Sequence, residues 1–188
     1  RFVNNTLLGS LGSKAIRHTT RAEYDTALRY VGLQRVVAER IGDRVGVAGA
    51  WLNTAIVRKT QDEQELALEA GHKALALYES LGLKRGIAMT EENLSDLYRA
   101  LGNYRRAFDF AQKSLGVSEE GHCRRGIMIA LHDLAIIYGH QNNAEQAFAH
   151  LERALLLAQE LGDAVMIGMV RHDMALQYER FGNYQRAL

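Results

Sequence analysis

Leu101-Gly102-Asn103-Tyr104-Arg105-Arg106-Ala107 returns 80 residues later as Phe181-Gly182-Asn183-Tyr184-Gln185-Arg186-Ala187. Midway between the two, Asn142-Asn143-Ala144-Glu145-Gln146-Ala147 is a degraded copy at a shift of 40, and Tyr24 and Ala27 hold the matching places upstream. A second marker has the same spacing: Ile41-Gly42-Asp43, Leu81-Gly82-Leu83 and Leu161-Gly162-Asp163. Tyr98, Tyr138 and Tyr178 form a third. Three markers with one spacing and no gaps establish an internal repeat.

Within a period the apolar residues follow helical spacing. Ala88, Leu94, Leu97 and Leu101 mark one helix, and Ala107, Phe110, Ala111, Leu115 and Val117 mark the next. Between them, Gly102 suits the left-handed residue that closes a helix, and Asn103 suits the N-cap that opens another. Asn143, Asn183, Asp43 and Asp163 are placed to cap in the same way. The spacing predicts first helices near 3–19, 44–59, 84–100, 124–140 and 164–180. Second helices are predicted near 23–40, 64–79, 104–119 and 144–160, with a truncated one from 184. The repeats run 1–40, 41–80, 81–120, 121–160 and 161–188. Two columns of small residues, Ala15-Ala55-Ser95-Ala135-Ala175 and Ala27-Ala67-Ala107-Ala147-Ala187, mark where helices approach closely.

Composition supports an all-helical reading. There is no proline among 188 residues, where average usage of about 5% would supply about nine, and proline is the residue helix interiors exclude. Lys and Arg number 23 against 22 Asp and Glu, so the chain carries no field for a phosphate backbone or an anionic membrane. One cysteine, Cys123, excludes an internal disulfide and a Cys-based zinc site. No apolar run reaches the roughly 20 residues that cross a bilayer, and no leader pattern opens the chain. A reducing, cytoplasmic setting is expected. The start at Arg1 and the stop at Leu188 without a capping signal read as a piece of a longer protein.

The string Asn93-Leu94-Ser95-Asp96-Leu97-Tyr98-Arg99-Ala100-Leu101-Gly102-Asn103-Tyr104-Arg105-Arg106-Ala107 resembles a tetratricopeptide repeat. Ser95, Tyr98, the Gly-Asn-Tyr turn and Ala107 carry the likeness. The longer period and the missing proline resemble the long-helix variety seen in kinesin light chains, spindle-orientation adaptors and bacterial signalling proteins. The resemblance implies an all-α superhelical solenoid of antiparallel helix pairs, about four and a half repeats, whose concave wall is built from the first helices. It also implies a peptide, helix or domain as the ligand of that wall.

By register, the resemblance places Gly49, Leu52, Asn53, Ile56 and Lys59 on the groove in the second repeat. Met89, Glu92, Asn93, Asp96 and Arg99 follow in the third, and Ile129, His132, Asp133, Ile136 and His140 in the fourth. Met169, His172, Asp173, Leu176 and Glu179 follow in the fifth. The column Asn53-Asn93-Asp133-Asp173 can bond an extended peptide backbone whatever its sequence, or can cap and bridge adjacent helices instead. Glu92 and Asp96 beside Arg99 oppose an incoming carboxylate, so a carboxylate clamp is disfavoured.

Catalytic chemistry finds little support. His132-Asp133 and His172-Asp173 lie one period apart, which reads either as a metal pair or as an echo of the repeat. His122-Cys123 lacks an oriented third partner. Gly9-Ser10-Leu11-Gly12-Ser13-Lys14 has neither the glycine spacing nor the preceding strand of a phosphate loop. The expectation is a non-catalytic scaffold without cofactor or metal, binding a protein or peptide and neither nucleic acid nor membrane. The alternative is a sensor segment of a larger bacterial signalling protein. There the array holds a flanking kinase, cyclase, transcription factor or caspase-like protease in check.

Overall fold

The computed structural model describes residues 2–182, all of whose regular structure is α-helical. The truncated helix expected from 184, with Asn183 and Ala187, lies outside the described residues. In chain order the helices are α1 (Phe2–Thr19), α2 (Tyr24–Arg40), α3 (Arg44–Thr60), α4 (Gln64–Ser80) and α5 (Lys84–Ala100). They continue as α6 (Tyr104–Glu120), α7 (Arg124–His140), α8 (Ala144–Leu161) and α9 (Ala164–Arg180). The helices predicted up to residue 180 are all present, with boundaries shifted by one residue at most.

The backbone repeats twice as often as the sequence markers. Every connection between the described helices has one left-handed residue, at Ala22, Gly42, Asp62, Gly82, Gly102, His122, Asn142 and Gly162, and Gly182 after α9 is left-handed too. After each of the first eight, the next backbone N–H returns to a carbonyl five residues earlier. Examples are Asp43 to Ala38 at 2.9 Å, Asn103 to Tyr98 at 2.8 Å and Cys123 to Ser118 at 2.8 Å. This is the Schellman closure, which satisfies carbonyls that a helix end would leave bare. At four of these turns the following helix is opened by a side chain, whereas Glu23, Glu63 and Cys123 make no such bond. Asp43, Asn103, Asn143 and Asp163 each accept from the N–H three residues on, at 3.0–3.2 Å. Each turn thus stops one helix and starts the next within about three residues.

The chain forms two compact units, residues 1–97 and 98–188. In the first, α2 packs on α1 and α3, α4 packs on α3, and α1 touches α3 directly. Its core joins Ala15, Ala27, Val31, Ala50 and Val57, with a second cluster of Ala48, Leu52, Ala74 and Tyr78. In the second unit α7 packs on α6 and α8, α8 on α9, and α7 touches α9. Met128, Leu131, Ala135, Leu151, Ala154, Ala158, Met166 and Val170 form its core.

The small-residue columns are the contact lines. Ala15, Ala55 and Ala135 and the whole run Ala27-Ala67-Ala107-Ala147 are fully buried, as is Ser95 save for a trace. Ala175, on α9, is half-buried. Side chains of this size let helix backbones approach closely. Gly86 marks the tightest approach in the first unit: a Cβ there would stand 2.6 Å from Cγ of the buried Tyr78 and closer to the ring's edge.

Candidate functional site

First helices of successive repeats meet directly in each unit, α1 with α3 and α7 with α9. Helical periodicity sends one side of each first helix to its own second helix and leaves another free of it. The residues assigned to the groove fall on these first helices, and they divide into those that knit the array and those that face outward.

In the first unit, Leu52 is buried in the Ala48-Ala74-Tyr78 cluster, and half-buried Ile56 packs against it. Asn53 donates its amide to Gln34 Oε1 at 3.1 Å, and Gln34 is itself buried. Both amides lie against Gly12 of α1, where an added Cβ would be 3.1 Å from each nitrogen. Lys59 Nζ reaches Asp96 Oδ2 at 3.1 Å, tying α3 to α5. Asn93 is 7% exposed, and its Oδ1 has no hydrogen-bond partner among the described residues. Glu92 is half-buried, whereas Met89 is exposed. Near the start of α3, Gly49 and Val45 line a hollow of about 360 Å³ with Leu8 and Gly9 of α1.

In the second unit, His132 is 6% exposed and its Nε2 lies 2.6 Å from Asp173 Oδ2, joining α7 to α9. Buried Asp133 sets Oδ1 3.9 Å from His132 Nδ1. Ile129, half-buried, packs on the unit's core, and Ile136 is half-buried further along α7. Met169, His172 and Leu176 are exposed on α9. At the carboxyl ends of these helices, His140 stacks on Tyr104 with ring centres 4.5 Å apart and contacts Arg180 Nη1 through Nδ1 at 3.5 Å. Partial burial, then the positive charges of Arg180 and Arg99, hold the His140 imidazole below its usual pKa. Arg99 is half-buried.

The polar column therefore has a structural occupation: Asn53 and Asp173 bond across helices, and Asn93 and Asp133 are nearly enclosed. Outward contact on these faces falls to Met89, Met169, His172 and Leu176. Of the His/Asp pairs, His132 engages Asp173 of the next repeat, while His172 is exposed. Among the described residues no three His, Cys, Asp or Glu side chains converge to hold a metal ion. His122 is the left-handed residue of its turn, and Cys123 is the exposed residue that precedes α7.

The tetratricopeptide-repeat profile matches residues 46–120 and 126–188. The chain belongs to the tetratricopeptide repeat family. Among solved structures it is similar to aspartyl phosphate phosphatase F from Bacillus subtilis, with TM-score 0.81 and 12% identity over 96% of this chain and 56% of that one. A putative kinesin light chain with nearly identical TPR-like repeats from Podosopora anserina superposes with TM-score 0.74 at 14% identity. That match covers 96% of this chain and 89% of that one. The STAND protein PH0952 from Pyrococcus horikoshii, which has a tetratricopeptide repeat sensor, gives TM-score 0.77 at 16% identity over 91% of this chain. This chain spans only 27% of PH0952 and about half of the phosphatase. No curated protein matches it in sequence. Identities this low establish the fold, an all-α array of antiparallel helix pairs.

Sequence reasoning passed over one feature. A cleft of about 300 Å³ opens between the second helices α2 and α4, floored by Trp51 of α3. Its sequence signal is a break in a repeat column: Arg58 stands where later repeats have Tyr98, Tyr138 and Tyr178.

Proposed function

We propose that this chain is a non-catalytic protein-interaction module, each unit of which offers a peptide or partner helix the outward faces of its own first helices. The carrying observation is the exposure of Met89, Met169 and Leu176, 46–48% each, on helices whose neighbouring positions are packed or bonded. Methionine suits such a surface, because its flexible thioether adapts to different apolar partners. The hollow beside Gly49 adds room for a side chain of the ligand. Within each unit, Asn53 and Asn93 or Asp133 and Asp173 support the first helices in this reading, and the apolar residues make the contact.

The test is capture from lysate of the source cells with the wild-type chain and with a Met89→Glu/Met169→Glu/Leu176→Glu variant of unchanged circular dichroism. The reading expects a partner held by the first and lost by the second. Equal capture by both would place the contact elsewhere. Substituting the polar column would be a poor test, since Asp173 and Asn53 support helix contacts.

Likeness to the sensor-bearing STAND protein supports a second reading, in which the array is the regulatory segment of a larger signalling protein. The ligand face is then the same, and a flanking output domain responds to its occupation. A cytoplasmic setting is part of the proposal. The lone cysteine supports it, and no described helix is long and apolar enough to cross a membrane.

A further inference from the structure

Three repeats carry an aromatic pair linking the end of the first helix to the second helix. His18 stacks on Tyr30 with centres 5.2 Å apart, and Tyr98 stacks on Phe110 at 5.5 Å. Tyr138 meets His150 at 5.1 Å. At the same register the second repeat has Arg58 and Ala70, a cation and a methyl group in place of two rings. Both residues line the cleft above Trp51. The cleft is thus the consequence of a local departure from the repeat.

The departure also changes the charge. Arg35 and Lys73 each stand 4.5 Å from the centre of the Trp51 ring, so two cations rest on the indole. With Arg58 they give the lining three positive side chains against one carboxylate, Glu69. Glu69 lies 2.5 Å from Lys73, Arg58 is ion-paired with Glu63, and Arg35 Nε is 3.8 Å from Glu39 at the margin. Arg35 is the least engaged of the three. Its planar guanidinium can take a carboxylate or phosphate through two parallel hydrogen bonds. Leu28, Val31, Leu66 and Ala70 supply apolar walls, and Gly32 leaves the cleft open, because an added Cβ would meet nothing within 4 Å.

We propose that this cleft binds an aromatic ring bearing one anionic group, a carboxylate or a phosphate. The ring packs where other repeats have their own aromatic pair, and the anion is held by Arg35 and Arg58 at the rim. The volume, at the low end of the roughly 300–1,000 Å³ of small-ligand pockets, leaves room for one ring with one substituent. The site lies between second helices and is independent of the partner face proposed above.

Trp51 is the only tryptophan in the chain, so its emission reports on the cleft alone. The experiment titrates the protein with benzoate and phenyl phosphate. Acetate, inorganic phosphate and benzyl alcohol serve as probes with only one half of the chemistry. The expected result is a saturating change in emission with a ring-bearing anion, and binding at least about tenfold weaker for each half-probe. Gly32→Leu, which fills open space, and Arg58→Tyr, which restores the residue of the later repeats, should each weaken binding about tenfold or more with helix content retained. A peptide ending in phenylalanine with a free carboxylate separates the sources. Tighter binding than benzoate assigns the ligand to a protein terminus, and weaker binding assigns it to a free small molecule. The proposal is overturned if no ring-bearing anion saturates, if the half-probes do as well, or if the folded variants titrate like the wild type.

Discussion

Replacing Gly86 by alanine tests whether close helix approach, and no special backbone angle, explains the glycine. Gly86 is in the first turn of α5 with ordinary helical geometry, so substitution carries no backbone penalty. The obstacle is Tyr78. A Cβ at position 86 would lie 2.6 Å from Tyr78 Cγ, whereas carbon atoms need about 3.5 Å or more. Tyr78 has little room to retreat: it is 9% exposed and packed with Ala48, Leu52 and Ala74. Overpacking of this kind costs about 1–3 kcal/mol. Alanine recovers up to about 1 kcal/mol from helix propensity. Gly86→Ala should therefore destabilise by about 1–2 kcal/mol, measured by urea unfolding followed by circular dichroism. In a Tyr78→Leu background the ring is gone, and the same substitution should become neutral or stabilising by up to about 1 kcal/mol. The difference between backgrounds isolates the contact as a coupling of about 2 kcal/mol. If Gly86→Ala has the same effect with and without the ring, the steric account of this glycine is wrong.

The left-handed turns make a second prediction. Ala22 and His122 have φ of 59° and 50°, a region that costs a residue with a Cβ about 1–2 kcal/mol. Ala22→Gly and His122→Gly should each raise stability by about 1 kcal/mol and the melting temperature by about 2–4 °C. Asn142→Gly should gain less, because a short polar side chain tolerates this conformation; an equal or larger gain there would refute the ranking. A third prediction concerns pH. His140 has its pKa lowered by burial and by Arg180 and Arg99, so the unfolded chain takes up this proton first. Its contribution to stability is present above the unfolded value of about 6.5 and is lost as pH falls through the lower folded value. Thermal melts at pH 7.5 down to 5 should show less acid sensitivity for His140→Gln than for wild type, and parallel curves would contradict the assignment.

The fold was legible because each of its determinants leaves a local mark. Gly102-Asn103 announces both the left-handed stop and the capped start, and both are present, in φ of 73° at Gly102 and in the Arg106 N–H bond to Asn103. The twenty-residue spacing of the turns was harder to see. Ala22, Asp62, His122 and Asn142 take the left-handed conformation that glycine takes elsewhere. Helix ends dictated by packing impose that angle on whatever residue is there, so the backbone can be more regular than the sequence that forms it. The forty-residue markers show only those turns where the sequence had already relieved the strain.

The candidate site was less legible, for a reason that the same residues illustrate. Register places a residue on a helix face, but it does not say whether a neighbouring helix uses the group first. Asp173 was placed correctly on α9 and yet spends an oxygen on His132, 41 positions back in the chain. Asn53 likewise spends its amide on Gln34. In a stacked array every face position has two potential customers, the next repeat and the ligand, and polar groups near the stacking line go to the next repeat because a buried, unbonded polar atom is costly. The informative positions are then those that break the repeat. Arg58 and Ala70 do so together, removing an aromatic pair that three other repeats keep and leaving Trp51, with Arg35 and Lys73 on its ring, in a cleft that Arg58 also lines. Packing alone would favour restoring the rings, so Arg58→Tyr combined with Ala70→Phe should stabilise the first unit while closing the cleft. Greater stability at the expense of ligand response is the pattern expected of a functional departure from the repeat. Loss of stability on restoring the pair would instead mean that Arg58 and Ala70 are the residues that packing selects at this place.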